Sequence, residues 1–444
     1  MKNVAKKIIL SSHAQYLGQP ILEKIVPPEK QAPIKIPVLC ISVLGTVLEY
    51  FEYATYGFLA PLLALHFLPD GDPTSTLIKT FGIFAVGSLS KPLGALIFGY
   101  LGDIRGRRIS LRYSMIGISF PTFIVGVLPS YESWGWLSAF ILVLCRMFQG
   151  IFLAGESDGA RIYAFEHFGL KRPCLVINIV GVGAYLGIAA ASLVASQVPF
   201  EGEAWRFVFL GCSISGIIVF ILRRYLIETP PFLAYQRKHL SPLSLKQVVQ
   251  TYWAPILRIL MICGASGGIY HFYLVFQGTY LSKILGLVPQ ENALLYSFWL
   301  TSVYVLMLPL AGWVGDSFGL ARMGKIAGSL TLVLAAINIV LIIKGIVFFP
   351  LMALTAISVV FFQAPVFIFF TQHLPVSVRF RCQSLGHTLG SMLFSGTTPV
   401  TCLFLWQNTS LPYAPYLYFL FFVAMGLTAF IWGERDKRLP PPDE

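Results

Sequence analysis

The sequence predicts an all-α polytopic membrane protein, with twelve transmembrane helices in two six-helix bundles. Three observations carry the prediction. The chain of 444 residues is 56% hydrophobic and only 12% charged, about half the charge fraction of an ordinary soluble domain. Apolar runs of about 20 residues, each long enough to cross a ~30 Å hydrocarbon core as a helix, recur between residues 36 and 433. Finally, Gly99-xxx-Asp103-xx-Gly106 returns as Gly312-xxx-Asp316-xx-Gly319, 213 residues later. Each copy follows the second helix of a six-helix half, and such parallel repeats mark a transporter architecture.

The elements follow in order. Residues 1–35 carry six lysines and prolines 20, 27, 28 and 33, with only the short apolar run IIL at 8–10. They read as a cytoplasmic N-terminal tail rather than a signal peptide. The first bundle, 36–227, holds helices near 36–66, 77–100, 109–129, 136–165, 174–198 and 205–227. A central cytoplasmic loop at 228–253 contains Pro230, Pro231 and Pro242 among basic residues. The second bundle, 254–433, holds helices near 254–281, 291–314, 323–343, 347–373, 381–407 and 413–433. A C-terminal tail, 434–444, is also placed in the cytoplasm. Basic residues set this direction. They crowd the N-terminal tail, 105–112, 171–172, the central loop and its edge, 322–325, 379–381 and 435–438; the opposite connections hold only Lys79, Arg206, Lys283 and Lys344. The crowded side is cytoplasmic by the positive-inside rule.

Composition and motifs weigh against several function classes. The net charge of +12 marks topology and contact with anionic lipid, so no nucleic-acid partner is expected. Seven scattered cysteines form no CxxC, and seven histidines form no HExxH; no metal and no cofactor is expected. An enzyme would need a catalytic cluster in a sizeable interfacial loop, and none is present. A transport-dead sensor would need a soluble output region, which short termini do not supply.

Gly99–Arg108, read GYLGDIRGRR, is then the cytoplasmic turn between the second and third helices. Its glycines permit close approach, and Asp103 can accept from a helix N-terminus or an arginine. This stretch resembles the signature loop of the major facilitator superfamily, which latches two halves and gates the cytoplasmic side. The resemblance implies that superfamily's fold and a gating role for Gly99, Asp103, Gly106, Arg107, Arg108 and Asp316. In the second copy Leu320 and Ala321 replace basic positions and leave Arg322.

A narrower resemblance follows from LEYFEYATYGFLAP at 48–61, Lys91-Pro92-Leu93-Gly94, RMFQGIFLAGE at 146–156, Trp205-Arg206, Glu228-Thr229-Pro230, Pro375, Arg379 and Gly396-Thr397-Thr398-Pro399. Together they are similar to the metabolite:proton symporters, which include proline/betaine, shikimate, citrate and 2-oxoglutarate carriers. Lys91, Glu52, Ala154 and Gln372 depart from that family's usual residues.

Charges inside the spans mark candidate sites, because a bare charge in hydrocarbon is costly. Glu49 and Glu52 are three apart, on one face of the first helix. Two carboxylates sharing a site do not both ionise easily, so this pair is a candidate proton carrier. Lys91 lies at similar depth and could neutralise one of them; Tyr53 and Tyr56 could add hydroxyls. Arg146, with Gln149 three residues on, is the strongest single candidate, either for a substrate carboxylate or for tuning the proton site. Glu156 matches the family's glutamate. Asp158 and Arg161 share a face and are expected to pair in gating, with Glu166 joining Arg107 or Arg108. In the second half His271 is the candidate titrating ligand group, and Gln363, Gln372, His373 and His387 could face the cavity. Arg258 is expected to snorkel to the interface.

The site's acids and bases balance, which fits a small anion or zwitterion entering with a proton. The expectation is a secondary active transporter for an organic acid, betaine or amino acid, multi-pass in a bacterial inner membrane, working as a monomer by alternating access. A sugar or other polar-metabolite transporter is the alternative, and a multidrug exporter or sensor the remoter ones.

Overall fold

The computed structural model describes residues 36–68, 73–168, 172–199, 202–237 and 242–435. The 1–35 tail, Lys171, Lys238 and residues 436–444 lie outside them. Twelve long helical segments run through the described residues. The first six are α1 Ile36–Phe67, α2 Pro73–Ile104, α3 Arg107–Val127, α4 Trp136–Phe168, α5 Pro173–Ser196 and α6 Ala204–Leu222. Then come α7 Leu245–Tyr270, continued by π-helical turns to Ile284, α8 Gln290–Phe318 and α9 Leu320–Ile343. α10 is split into Phe349–Gln363 and Val366–Thr371, α11 into Arg379–Gly390 and Thr398–Thr409, and α12 is Ala414–Arg435. Ten are long and apolar enough to cross a membrane; α1 and α2, 32 residues each, complete the set. Exposed Phe120, Leu193, Phe207 and Leu306 give the bundle an apolar outer surface, as lipid requires.

Local signals set the breaks. Pro173 begins α5 at a position where its missing N–H costs nothing. Pro365 divides α10, and Pro399 restarts α11 after a π-helical turn at Ser391–Ser395. Two expected boundaries move. α2 continues to Ile104, so Gly99–Asp103 is the last turn of a helix rather than a loop. The central segment is partly helical: Pro230–Gln236 forms a short helix, and α7 starts at Leu245. A reciprocal capping box, Ser244 with Gln247, fixes that start.

Packing repeats between the halves. α1 lies on α5 as α7 lies on α11; α2 lies on α4 as α8 lies on α10; α3 lies on α6 as α9 lies on α12. The main contacts between halves are α2 with α11 and α5 with α8, which are again equivalent pairs. The largest apolar core fills the second half and reaches across to Ile162, Phe165, Cys174 and Ile177 of the first.

Candidate functional site

Three groups of polar side chains organise the molecule. The first is a clasp at the end bearing the Gly99–Arg108 segment. Asp103 accepts from the backbone N–H of Phe380 and Arg381 at 3.1 and 3.0 Å and from Arg381 Nε at 3.1 Å. It thereby caps α11 of the opposite half, where the helix dipole favours negative charge. Arg107 flanks it at 3.4 Å. A Cβ at Gly102 would lie 2.0 Å from the Phe380 ring, so the approach of α2 to α11 requires glycine. The second copy does the same work with fewer partners. Asp316 accepts from the N–H of Cys174 and Leu175 at 2.8 and 2.9 Å, capping α5. No ion pair to Asp316 is made among the described residues.

Glu166 sits between two arginines. Arg107 Nε donates to it at 3.0 Å and Arg379 Nη1 at 2.8 Å, while Thr229 Oγ1 donates at 2.6 Å. Arg107 also donates to the carbonyl of Val376 at 2.7 Å, so it spans both halves. Arg108 turns elsewhere: its Nη2 donates to the Arg224 carbonyl. Glu228 accepts the N–H of Arg107 at 3.1 Å and of Arg108 at 3.2 Å, capping α3. Burial holds its carboxyl above the ordinary glutamate range, against the pull of these hydrogen bonds.

Gly106 makes the turn possible. Its φ is +111°, and an added Cβ would lie 2.2 Å from Glu228 Oε2. Gly319, at φ +96°, has open space around it. Both alanine variants bear backbone strain of about 1–3 kcal/mol, but only Gly106→Ala also displaces Glu228. Gly106→Ala is therefore expected to lower the thermal midpoint further than Gly319→Ala; equal midpoints in a detergent melt would refute the steric account.

The second group lies inside the first half. Glu52 is 6% exposed. It accepts from Thr122 Oγ1 at 2.5 Å and Gln149 Nε2 at 2.7 Å. Gln149 Oε1 in turn accepts from Arg146 Nη1 at 2.9 Å. The Arg146 guanidinium lies 3.7 Å from the ring centroid of Tyr56, so Tyr56 contributes its face. A small cavity, with room for about one water, is lined by Glu52, Tyr53, Arg146 and Gln149. Glu49 is 1% exposed, and neither carboxylate oxygen has a hydrogen-bond partner among the described residues. It shares a second small cavity with Glu52 and Thr122, against α3 and α6.

Lys91 makes no ion pair with either glutamate. Its ammonium rests 4.8 Å from the Tyr53 ring centroid, and it makes no ion pair among the described residues. Glu156 stands apart from Glu52: Arg223 pairs with both its oxygens, and Ser114 donates at 2.8 Å. Arg223, expected at the membrane edge as a topology charge, is thus a buried partner. Arg258 does not snorkel; it is fully buried with its guanidinium 4.5 Å from the Trp432 ring centroid.

The third group lies where the halves face each other. The expected Asp158–Arg161 pair is not made. Asp158 Oδ1 lies 2.7 Å from Nδ1 of His387, on α11 of the other half. Arg161 instead lies over Phe367 of α10, 5.3 Å from its ring centroid. Tyr50 meets Ser157 at 3.2 Å. Tyr185 of α5 approaches Tyr270 of α7 and Tyr304 of α8, with centroids 6.1 and 5.6 Å away. His271 abuts Tyr270 and bonds through Nδ1 to the Gly267 carbonyl. His373 bonds to the carbonyl of Phe369 one turn back, and Gln363 of α10 donates to the carbonyl of Ser266 on α7.

The sequence reading missed Thr122, Ser114, Arg223, Tyr50 and Tyr185 as partners. It named Glu228-Thr229-Pro230 without seeing that Glu228 and Thr229 complete the clasp; an acid and a threonine before proline at a helix start were the available signal.

Comparison with known proteins agrees with this geometry. The family model described as Major Facilitator Superfamily matches residues 42–395. The chain is 27% identical to the proline/betaine transporter of Escherichia coli (strain K12) over 425 residues, 89% of this chain and 83% of that one. It is 28% identical to an ectoine/proline transporter of Corynebacterium glutamicum, covering 94% of this chain and 86% of that one. Among solved structures it resembles the proton:xylose symporter XylE, with a TM-score of 0.69 at 15% identity, over 90% of this chain and 95% of that one. A family match over most of the described helices, joined to two equivalent six-helix halves clasped through repeated aspartates, places the chain in the Major Facilitator Superfamily.

Proposed function

We propose that the protein is a proton-coupled secondary transporter that takes up a small zwitterionic metabolite of the proline or betaine kind. It would act by alternating access in a bacterial inner membrane, with its basic end and both termini in the cytoplasm, as a monomer and without metal or cofactor. The observation that carries the coupling is Glu52. This carboxylate sits in the membrane interior, held by Thr122 and Gln149 rather than by a cation. A group so placed can exchange a proton at modest cost when its cavity opens to water. Arg146 acts on it through the Gln149 amide and so tunes its proton affinity. Glu49, adjoining the same inner cavity, is the second acid on the proton's path. The substrate enters from the end opposite the clasp, which is closed here by Asp103, Glu166 and their arginines.

The relatives named as proline and betaine transporters support the substrate class. An organic acid is the second reading, favoured because Lys91 and Arg161 make no ion pair among the described residues. Proteoliposomes holding the purified protein separate the two. An inside-alkaline pH gradient should drive accumulation of labelled proline or glycine betaine, and a protonophore should abolish it. Uptake that ignores the pH gradient would defeat the coupling, and selective uptake of citrate or 2-oxoglutarate would favour the second reading.

A further inference from the structure

Arg161 is an unusual residue in this molecule. It lies in the last third of α4, half-buried, over Phe367 of α10 and within electrostatic reach of Tyr50 of α1 and Cys263 of α7. Most other buried arginines have carboxylate or carbonyl acceptors: Arg107, Arg223, Arg379 and Arg381 each donate several hydrogen bonds. Arg161 donates none among the described residues. Two acids lie within its electrostatic reach: Asp158 is taken by His387, and Glu49 makes no ion pair with it among the described residues. The Arg161 guanidinium lies over the face of Phe367. Its five N–H donors therefore have no acceptor among the described residues, and a cation without hydrogen-bond acceptors is expensive inside a membrane protein. A visiting anion would relieve that cost.

The surroundings match one kind of visitor. Tyr50, hydrogen-bonded to Ser157, and Tyr185 lie within electrostatic reach of the guanidinium. Tyr185 is half-buried at the interface between halves and faces half-buried Tyr270 from the other half. Neither hydroxyl makes a hydrogen bond among the described residues, and the Tyr304 hydroxyl behind them is buried without a partner. Tyrosine faces attract a positively charged, poorly hydrated group. One helix supplies the anion anchor, and both halves supply the aromatic surface.

We propose that Arg161 is the anchor for the carboxylate of the transported solute, and that Tyr185 and Tyr270 receive its cationic end. This assignment rests on the zwitterion reading above. It gives the carboxylate to Arg161 rather than to Arg146, whose guanidinium is committed to Gln149 and Tyr56. It also couples binding to closure, because a solute held by α4, α5 and α7 at once draws the two halves together.

The test is equilibrium binding of labelled glycine betaine and proline to purified protein in nanodiscs, without any gradient. Arg161→Gln should weaken both about hundredfold, the loss expected when a charge-assisted bidentate contact is removed. Arg161→Lys should recover only part of this, since a point charge does not copy the planar fork. Tyr270→Leu should weaken glycine betaine about tenfold. Wild type should bind choline and prolinol, which lack the carboxylate, about hundredfold more weakly than the parent compounds, a comparison that needs no variant to fold. Wild-type affinity in a folded Arg161→Gln protein overturns the assignment while leaving the transport reading intact. A wild type that binds neither probe but does bind xylose or a dicarboxylate overturns the zwitterion reading and the assignment with it.

Discussion

Glu52→Gln is expected to reduce gradient-driven accumulation to simple equilibration. A one-unit pH gradient supplies about 1.4 kcal/mol per proton, enough for roughly tenfold accumulation with one proton per solute. The variant should reach a ratio of one. Glutamine is nearly isosteric, and its amide oxygen can still accept from Thr122 and Gln149, so the local geometry survives. What it lacks is a site that gains and loses a proton. Exchange of labelled for unlabelled solute across the membrane, which needs no net proton movement, should therefore continue. The readout separates coupling from binding: loss of both exchange and accumulation would mean that Glu52 holds the fold or the substrate. Accumulation at the wild-type ratio would remove Glu52 as the proton carrier and leave Glu49, whose two oxygens have no hydrogen-bond partner among the described residues, as the other acid lining that cavity.

The second large effect is expected at the clasp. Glu166→Gln leaves Arg107 and Arg379 facing each other, both buried. Removing one partner of a buried ion pair costs about 3–5 kcal/mol. That cost falls mainly on the closed arrangement, because opening carries Arg379 away from Arg107 and into water. The variant should thus shift toward the state open at the basic end, by a factor of about a hundred or more. Cys382 reports it directly. This thiol is fully buried beside the clasp, so in a protein retaining it as the sole cysteine, maleimide labelling follows opening. A rise of tenfold or more is expected, and Glu166→Gln combined with Arg379→Met should reverse most of it. Unchanged labelling in the single variant would show that the trio does not hold the halves shut.

The twelve helices were legible because each carries its own signal: a run of apolar residues long enough to span, ended by charge, glycine or proline. The Gly99 and Gly312 repeat was legible for a similar reason, since its spacing is local. The start of α7 was misplaced by nine residues because Lys246 and nearby Pro242 read as loop, although Ser244 and Gln247 form a capping box. Pairings between distant segments were mostly beyond reach. Asp158 and Arg161 look like partners at helical spacing, but His387, 229 positions away, takes the aspartate. Arg223 lies at the end of α6, where a basic residue reads as a topology marker; only folding reveals Glu156 beside it. Glu52, Arg146 and Gln149 were singled out correctly as buried charge and amide, but Thr122 gives no sign in sequence of completing their network. A lone threonine in an apolar helix usually bonds its own backbone, as Thr122 also does.

The exchange of helix caps between the halves has a bearing on how the chain is made. Asp316 reaches back 141 and 142 positions to the start of α5. Asp103 waits longer, for N–H groups 277 and 278 positions further on. During synthesis the first half thus enters the bilayer with a bare helix start and an aspartate that has Arg107 beside it but lacks its partners on α11. Its own helices can pack at once, because α1 on α5 and α3 on α6 need nothing downstream. The clasp cannot. It belongs to the finished polypeptide, and only after α11 leaves the ribosome can the nascent protein shut its basic end.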